Sequence, residues 1–307
     1  MPKLESQPFK SKLNKSSDQF EKNKSSMLSM LEEIDELLDE AELGGGEHHK
    51  ERLAKRGKLP VRERVFHFLD PDSPFLEISG LAAFKSDYPV GGGAIAGIGV
   101  SSGIECIIFA NDPTVLAGAM HFYSVKKWMR AMQIARDSRL PFIQFVESAG
   151  GDLRPRSNAV VGGTTHFAES GRQFYEITEL SKLNIPTVTV TFGTATAGGA
   201  YQPGMSDYNI FVKDQADVAL AGPPLVQMAT GEISSREDIG GAKMHAEKSG
   251  LAEYLAEDDL DGIRIAREVM SHLNWEKEGT NPRFSVEKPL YDQDDPVSYT
   301  HLTLPTK

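Results

Sequence analysis

The sequence predicts an α/β fold whose strands are joined by helical crossovers, preceded by an N-terminal helical arm. Three observations carry that reading. Ala94 to Val100 and Ile104 to Ala110 are short β-rich runs around the turn Ser101-Ser102-Gly103, which reads as a hairpin. Two later runs, Phe142 to Val146 and Thr187 to Thr191, each end in a glycine pair, Gly150-Gly151 and Gly198-Gly199. Segments of helical spacing separate these strands, and strand, helix, strand in succession is the pattern of crossover connections.

Taken in order, residues 1–25 are rich in Lys, Ser and Asn, the composition of a disordered arm. Residues 26–74 read as a helical extension. Leu28, Leu31, Ile34, Leu38 and Ala41 recur at three- and four-residue spacing, with Gly44-Gly45-Gly46 as a stop signal. The basic segment Lys50 to Phe68 follows as a connector, closed by the turn Pro71 to Pro74. The main domain occupies 75–275. After the hairpin, Val125, Trp128, Met129, Met132 and Ala135 form one apolar helix face ahead of the strand opened by Pro141. A helix over Gln173 to Lys182 precedes the next strand, then come strands Tyr208 to Val212 and Asp217 to Leu220 and a closing helix Asp258 to Leu273. Residues 276–307 are a polar, proline-broken tail.

Composition narrows the functions. With 307 residues, 39% of them hydrophobic, the chain can bury one large domain plus appendages. A net charge of -11 repels a phosphate backbone, which disfavours nucleic acid as a partner and requires any anion site to be a local cluster of cations. The single cysteine, Cys106, lies in the apolar run Ile104 to Phe109 and leaves no internal disulfide to form, which suits a reducing compartment. No run approaches the ~18 apolar residues that cross a bilayer, so no membrane role is expected and the cytoplasm is the expected location.

The glycine pairs carry the chemistry. Glycines at the carboxyl end of a strand let backbone N–H groups approach a ligand with no Cβ in the way, and a following helix adds its positive end. That suits an anion or an oxygen becoming one; on local sequence alone a tight turn and close packing is the commoner reason for a glycine pair after a strand. Other constellations fall away. Gly91-Gly92-Gly93 and Gly97-x-Gly99 lack a Walker lysine and precede a hairpin. His48-His49 cannot share one metal from a regular helix, so no metal is expected. No serine adjoins Gly198 as a nucleophile. His121, His166 and His245 each suit a general base or a structural role, and none is assigned.

Read as strings, the segments ERLAKRGKLPVRERV, LDPDSPFLEISGL, ANDPTVLAGAMHFYSVKKWMRAMQIA, LPFIQFVESAGGDL, TATAGGAYQPGMSDYNI, GPPLVQMATGEISSREDIGGAKMHAEKSG and AEDDLDGIRIARE follow one another from Glu51 to Trp275. In that order they resemble the carboxyltransferase (beta) subunits of biotin-dependent acyl-CoA carboxylases, and the fifth and sixth resemble the methylcrotonyl-CoA branch. The resemblance implies a crotonase-like fold of stacked β-β-α turns. It implies a coenzyme A thioester as substrate and carboxylated biotin on a separate carrier domain as carboxyl donor. The ureido nitrogen of biotin then takes the substrate's proton, so no side-chain base is needed. Gly198 and Gly199 become the oxyanion hole, with Ala197 and Ala200 beside them, and Gly150 and Gly151 line the acyl-CoA pocket. Here the latter string is Ser148-Ala149-Gly150-Gly151-Asp152-Leu153, which departs from the family's Ser-Gly-Gly-Ala by an added alanine and lacks an arginine after the glycines. Lys126, Lys127 and Arg130 are the candidate cations for CoA phosphates or, alternatively, a solvated helix face. Implied partners are a biotin carboxylase or biotin carrier subunit and further copies of this chain. The resemblance also implies a second crotonase-like domain that the chain does not contain, and the ending VSYTHLTLPTK resembles adaptor read-through, so a truncated carboxyltransferase is expected. A biotin-dependent acyl-CoA decarboxylase subunit and a non-catalytic CoA-thioester-binding fragment are the alternatives.

Overall fold

The computed structural model describes residues 14–152 and 167–276. The chain divides into two compact units, Met1–Leu37 with Thr280–Lys307, and Leu38–Gly279. In the first unit the described residues enter helix α1, Asp18–Leu43. The helix begins ahead of the Ser25 boundary expected of a disordered arm, because Ser17 caps it: the Phe20 N–H donates to the Ser17 hydroxyl at 3.3 Å, and Asp18 and Glu21 sit at the positive end. The predicted apolar stripe stays uncovered, with Leu28, Leu31 and Ile34 all exposed.

In the second unit α1 stops where the glycines predict. Gly44 and Gly46 adopt left-handed φ of 58° and 84°. The Gly45 N–H donates to Thr114 Oγ1 at 2.8 Å, an approach so close that a Cβ at Gly45 would collide with the Thr114 carbonyl. The expected connector is two helices, α2 (Glu47–Ala54) and α3 (Val61–Phe68). Its basic composition hides an amphipathic pattern: Val61, Val65 and Phe68 of α3 are buried.

Eight strands form one sheet: β1 (Leu76–Glu77), β2 (Ala94–Ser101), β3 (Ile104–Asn111), β4 (Phe142–Ser148), β5 (Thr187–Thr196), β6 (Tyr208–Val212), β7 (Asp217–Ala219) and β8 (Tyr254–Ala256). Their order is β1-β2-β3-β4-β5-β6-β8, with β7 paired to the end of β5. The β2-β3 hairpin is antiparallel as predicted, and β3, β4, β5, β6 and β8 run parallel. Parallel strands need helical crossovers, supplied by α4 (Phe122–Ser138) between β3 and β4 and α5 (Phe167–Lys182) between β4 and β5. The short strands β1 and β8 are not in the sequence reading, whereas β7, also three residues long, is.

After β5, α6 (Tyr201–Gly204), α7 (Pro223–Thr230), α8 (Arg236–Gly240) and α9 (Ala242–Met244) are short, and α10 (Asp259–His272) closes the unit. Alternating strand residues feed two cores. On one face Ile143, Phe145, Val188, Val190 and Phe192 pack with α3 and with Ile263, Ala266 and Met270 of α10. On the other, Ile107, Phe109 and Phe142 pack with Trp128 and Met132 of α4 and Ile177 and Leu180 of α5. Cys106 is buried in the first core, and burial pushes its thiol pKa far above the usual range.

The ring of Phe145 meets Phe68 and Phe192 edge-on at 5.4 Å each. Phe145→Ala is expected to lower the unfolding free energy by about 3–5 kcal/mol in urea titration; a loss under about 1 kcal/mol contradicts this packing.

Candidate active site

The site is built where β4 and β5 end. These strands pair in register from Phe142↔Thr187 to Val146↔Thr191, then slip so that Ser148 faces Ala195. Three residues of β5, Phe192 to Thr194, thus stand opposite Glu147 alone, an irregularity of the kind that re-aims a strand end.

Beyond Ser148 the chain is pinned to the segment Leu116–Met120. Ala149 N–H donates to the Ala117 carbonyl at 3.1 Å, Met120 N–H to the Gly150 carbonyl at 2.7 Å, and Asp152 N–H to the Met120 carbonyl at 2.8 Å. Leu116, Ala117 and Gly118 are left-handed in succession, with φ of 52°, 53° and 68°. Two such non-glycine residues cost on the order of 1–3 kcal/mol each, strain of the sort that the surroundings must over-determine.

At the end of β5, Ala197 is left-handed (φ 52°) and opens a single 3₁₀ turn, Ala197–Ala200, that runs into α6. The two strand ends touch. A Cβ at Gly150 (φ 91°) would lie 3.0 Å from the Thr196 carbonyl, and one at Gly199 would lie 3.4 Å from Ser148 Cβ and Oγ.

The four glycines differ in what they do. Gly199 is buried, and a Cβ there would meet Ser148 Cβ and Oγ in ordinary van der Waals contact, so only a side chain larger than alanine's would crowd Ser148. At Gly198 the nearest atom to an added Cβ is Gln173 Nε2, 4.0 Å away, so the fold itself does not ask for glycine there. The first N–H groups of a helical turn have no partner inside it, and here they belong to Ala197 and Gly198. Gly150 is buried and its N–H donates to Ser148 Oγ at 3.2 Å, which commits it within the fold; Gly151 is exposed and bridges to Met120. Ala200 is buried in the third apolar cluster with Val146 and Phe211.

A cavity of about 570 Å³ opens over the same strand ends, lined on one side by Glu147, Ser148, Ala149, Thr194 and Thr196 and on the other by His49 and Arg52 of α2 and Arg56 just beyond it. Arg236 borders it from α8 and pairs with Asp217 at 3.0 Å. It reaches Thr196, the residue before Ala197. Burial raises the Asp217 carboxyl pKa, against the lowering by Arg236 and His245.

The cations expected to meet a phosphate lie elsewhere, on α4. Lys127 is turned inward, its Nζ 3.3 Å from the Gly91 carbonyl and 3.8 Å from Glu77, where a ligand phosphate has no access; burial lowers its pKa to about 8. Helical spacing alone did not reveal that Lys127 shares the inward face with Trp128. Lys126 lies over its own helix's Phe122 ring at 4.2 Å, and Arg130 is exposed with Gln133 at 3.1 Å. The cavity cations Arg52 and Arg56 sit in the basic run that reads as a connector; its charge on an otherwise acidic chain was the available signal. Of the histidines, His245 is held structurally between the Val218 carbonyl (2.8 Å) and Ser249 Oγ (2.7 Å). His121 is buried against the Tyr88 ring at 3.9 Å, and His166 lies outside the described residues. Among the described residues no three His, Cys, Asp or Glu side chains converge on a metal position, and no helix is long and apolar enough to cross a membrane.

A parallel-rich sheet whose neighbouring strand ends carry abutting N–H turns has the crotonase-like architecture. The chain belongs to the Carboxyl transferase domain family, whose pattern matches residues 52–305, further than the Glu51–Trp275 span on which the motifs are legible. It is 45% identical over 94% of its length to a probable biotin-dependent acyl-coenzyme A carboxylase beta2 subunit of Mycobacterium tuberculosis, covering 53% of that protein. It is 41% identical over 91% of its length to the mitochondrial methylcrotonoyl-CoA carboxylase beta chain of Dictyostelium discoideum, covering 47% of it. The crystal structure of the Pseudomonas aeruginosa geranyl-CoA carboxylase beta subunit superposes with a TM-score of 0.81 at 39% identity, over 94% of this chain and 52% of that one. The chain thus spans about half the length of the relatives it matches.

Two measurements check these placements. Gly198→Ala is expected to leave the melting temperature unchanged, whereas Gly199→Val, overpacking Ser148, costs about 1–3 kcal/mol; the reverse order contradicts the assignment. For Lys127 the folded pKa lies below the unfolded 10.5, so the unfolded chain binds more protons between pH 8 and 10.5 and this group makes stability rise with pH across that window. Urea midpoints at pH 8 and 10 for wild type and Lys127→Met are expected to show that rise only in the wild type.

Proposed function

We propose that this chain provides the acyl-CoA-binding half of a carboxyltransferase. That enzyme moves a carboxyl group from carboxybiotin to the α or vinylogous γ carbon of a short or branched acyl-CoA. The observation that carries the proposal is the room at Gly198, where an added Cβ comes no nearer than 4.0 Å to its neighbour Gln173, on a turn whose first N–H groups have no partner within it, at the end of a strand in a family of carboxyl transferases. A thioester carbonyl set on these donors gains negative charge as the enolate forms, and fixed donors gain strength against a developing charge. Gly198, with Ala197, is the donor in this reading, and Gly199 keeps the turn against Ser148. Gly151, Ala149 and the Leu116–Met120 segment form the facing wall.

Residues at the end of α2 and just after it account for the rest of the ligand. Arg52 and Arg56, exposed on the cavity wall, are placed to take the phosphates of coenzyme A, which an acidic protein holds only through such a local cluster. Carboxybiotin, on its carrier, supplies the carboxyl donor and the nitrogen that accepts the substrate's proton. The chain's own part is to bind the thioester, hold its oxygen and keep the reacting carbon facing the open end. A biotin-carrying partner and further copies of this chain complete the assembly in this reading. The buried thiol and acidic surface fit an aqueous, reducing compartment such as the cytoplasm.

Calorimetric titration with 3-methylcrotonyl-CoA tests it. Arg52→Ala with Arg56→Ala is expected to weaken binding by one to two orders of magnitude, about 1.5–3 kcal/mol for charge-assisted contacts. Gly198→Val is expected to abolish carboxyl transfer in the assembled enzyme. Unchanged affinity in the first and unchanged turnover in the second contradict the proposal.

A further inference from the structure

The register slip at the end of β4 is held by a buried ionic network that the reaction described above does not use. Glu147 points to the same face as Phe145, toward α3. Its carboxylate pairs with Lys58 Nζ at 2.6 Å and with Arg64 Nη1 at 3.0 Å. Arg64, 1% exposed, also pairs with Asp259 at 2.9 Å through Nε and lies 4.3 Å over the Phe192 ring. Lys58 donates a second hydrogen bond to the Phe192 carbonyl at 2.8 Å, and the Leu59 N–H donates to Asp259 at 3.0 Å.

The surrounding backbone is cleared for this one side chain. A Cβ at Gly193 would lie 2.6 Å from Glu147 Cδ and Oε1, and one at Gly118, inside the left-handed segment, would collide with the Glu147 carbonyl oxygen. Glu147 therefore joins three things: the α2–α3 segment with its cavity arginines, the slipped part of β5, and the residue from which the Ser148–Gly151 turn departs.

We infer that Glu147 is a positioning residue: its ion pairs with Lys58 and Arg64 fix the direction in which the β4 turn meets the β5 turn, and so the aim of the Gly198 donor. A buried ion pair is weak as a source of stability, and apolar residues of similar volume often replace one without loss. What apolar residues do not replace is direction: a carboxylate held from two sides fixes an angle, and a misplacement of about 1 Å at a reacting centre costs on the order of 100-fold in rate. The inference rests on the acyl-CoA reading of the Gly198 turn.

The test uses the whole chain with crotonyl-CoA isotopically labelled at the thioester carbonyl, read by difference infrared spectroscopy and by calorimetry. Donation to the carbonyl oxygen lowers its stretching frequency. Glu147→Leu with Lys58→Met removes one charge of each sign and leaves Arg64 paired with Asp259, so the fold is retained. It is expected to bind acyl-CoA still and to lose the downshift. Gly193→Ala, which displaces the carboxylate without removing any charge, is expected to lose the downshift in the same way and stands in if the double variant does not fold. A folded variant that binds with the full wild-type downshift overturns the inference while leaving the acyl-CoA reading intact. No downshift in the wild type overturns both.

Discussion

The parallel pairing of β4 with β5, and its break at Glu147, is the constraint on which the rest depends. A parallel pair delivers two strand ends to the same edge of the sheet, so two turns meet there without any long-range search. Regular pairing alone would send them out side by side. The slip opposite Phe192–Thr194 lets Ser148 come back against Ala195, and it brings Gly150 within contact of Thr196 and Gly199 within contact of Ser148.

Charge is distributed to match. The chain carries a net charge of -11, yet five cations meet where β4 and β5 end: Lys58 and Arg64 paired with Glu147, and Arg52, Arg56 and Arg236 around the cavity. The buried pair of cations is matched by Glu147 and Asp259, so that group is locally neutral and shapes the backbone. The cavity arginines are exposed, and they are the ones with charge to offer a ligand. A single short segment, residues 52–64, supplies members of both groups from the end of α2, the connection after it and α3.

Much of this was legible in the sequence, for identifiable reasons. The hairpin, the three main parallel strands, the helices between them and the position of both glycine turns follow from period and punctuation, which local chain physics controls. The site was legible as a region and less so as atoms. Gly198 and Gly199 look identical as letters, and only the tertiary neighbours distinguish the buried one beside Ser148 from the half-buried one whose neighbour is Gln173. Lys127 reads as a surface cation because three cations in five residues suggest a solvated face; its burial against Glu77 and Gly91 depends on contacts fifty and thirty-six residues away in sequence. Arg52 and Arg56 were passed over because a basic run between two turns reads as a linker, and nothing local shows that α2 folds over the sheet. The strand β1, two residues long, carries too little period to be seen.

A crystal structure of the chain with a bound acyl-CoA tests directly whether the thioester carbonyl is held by the Gly198 turn. The thioester oxygen is expected about 2.7–3.1 Å from the Gly198 nitrogen, the span of a donor to an oxyanion, with the CoA phosphates toward Arg52 and Arg56. A thioester oxygen bound away from the β5 turn, with Gly198 facing only solvent, rules that placement out.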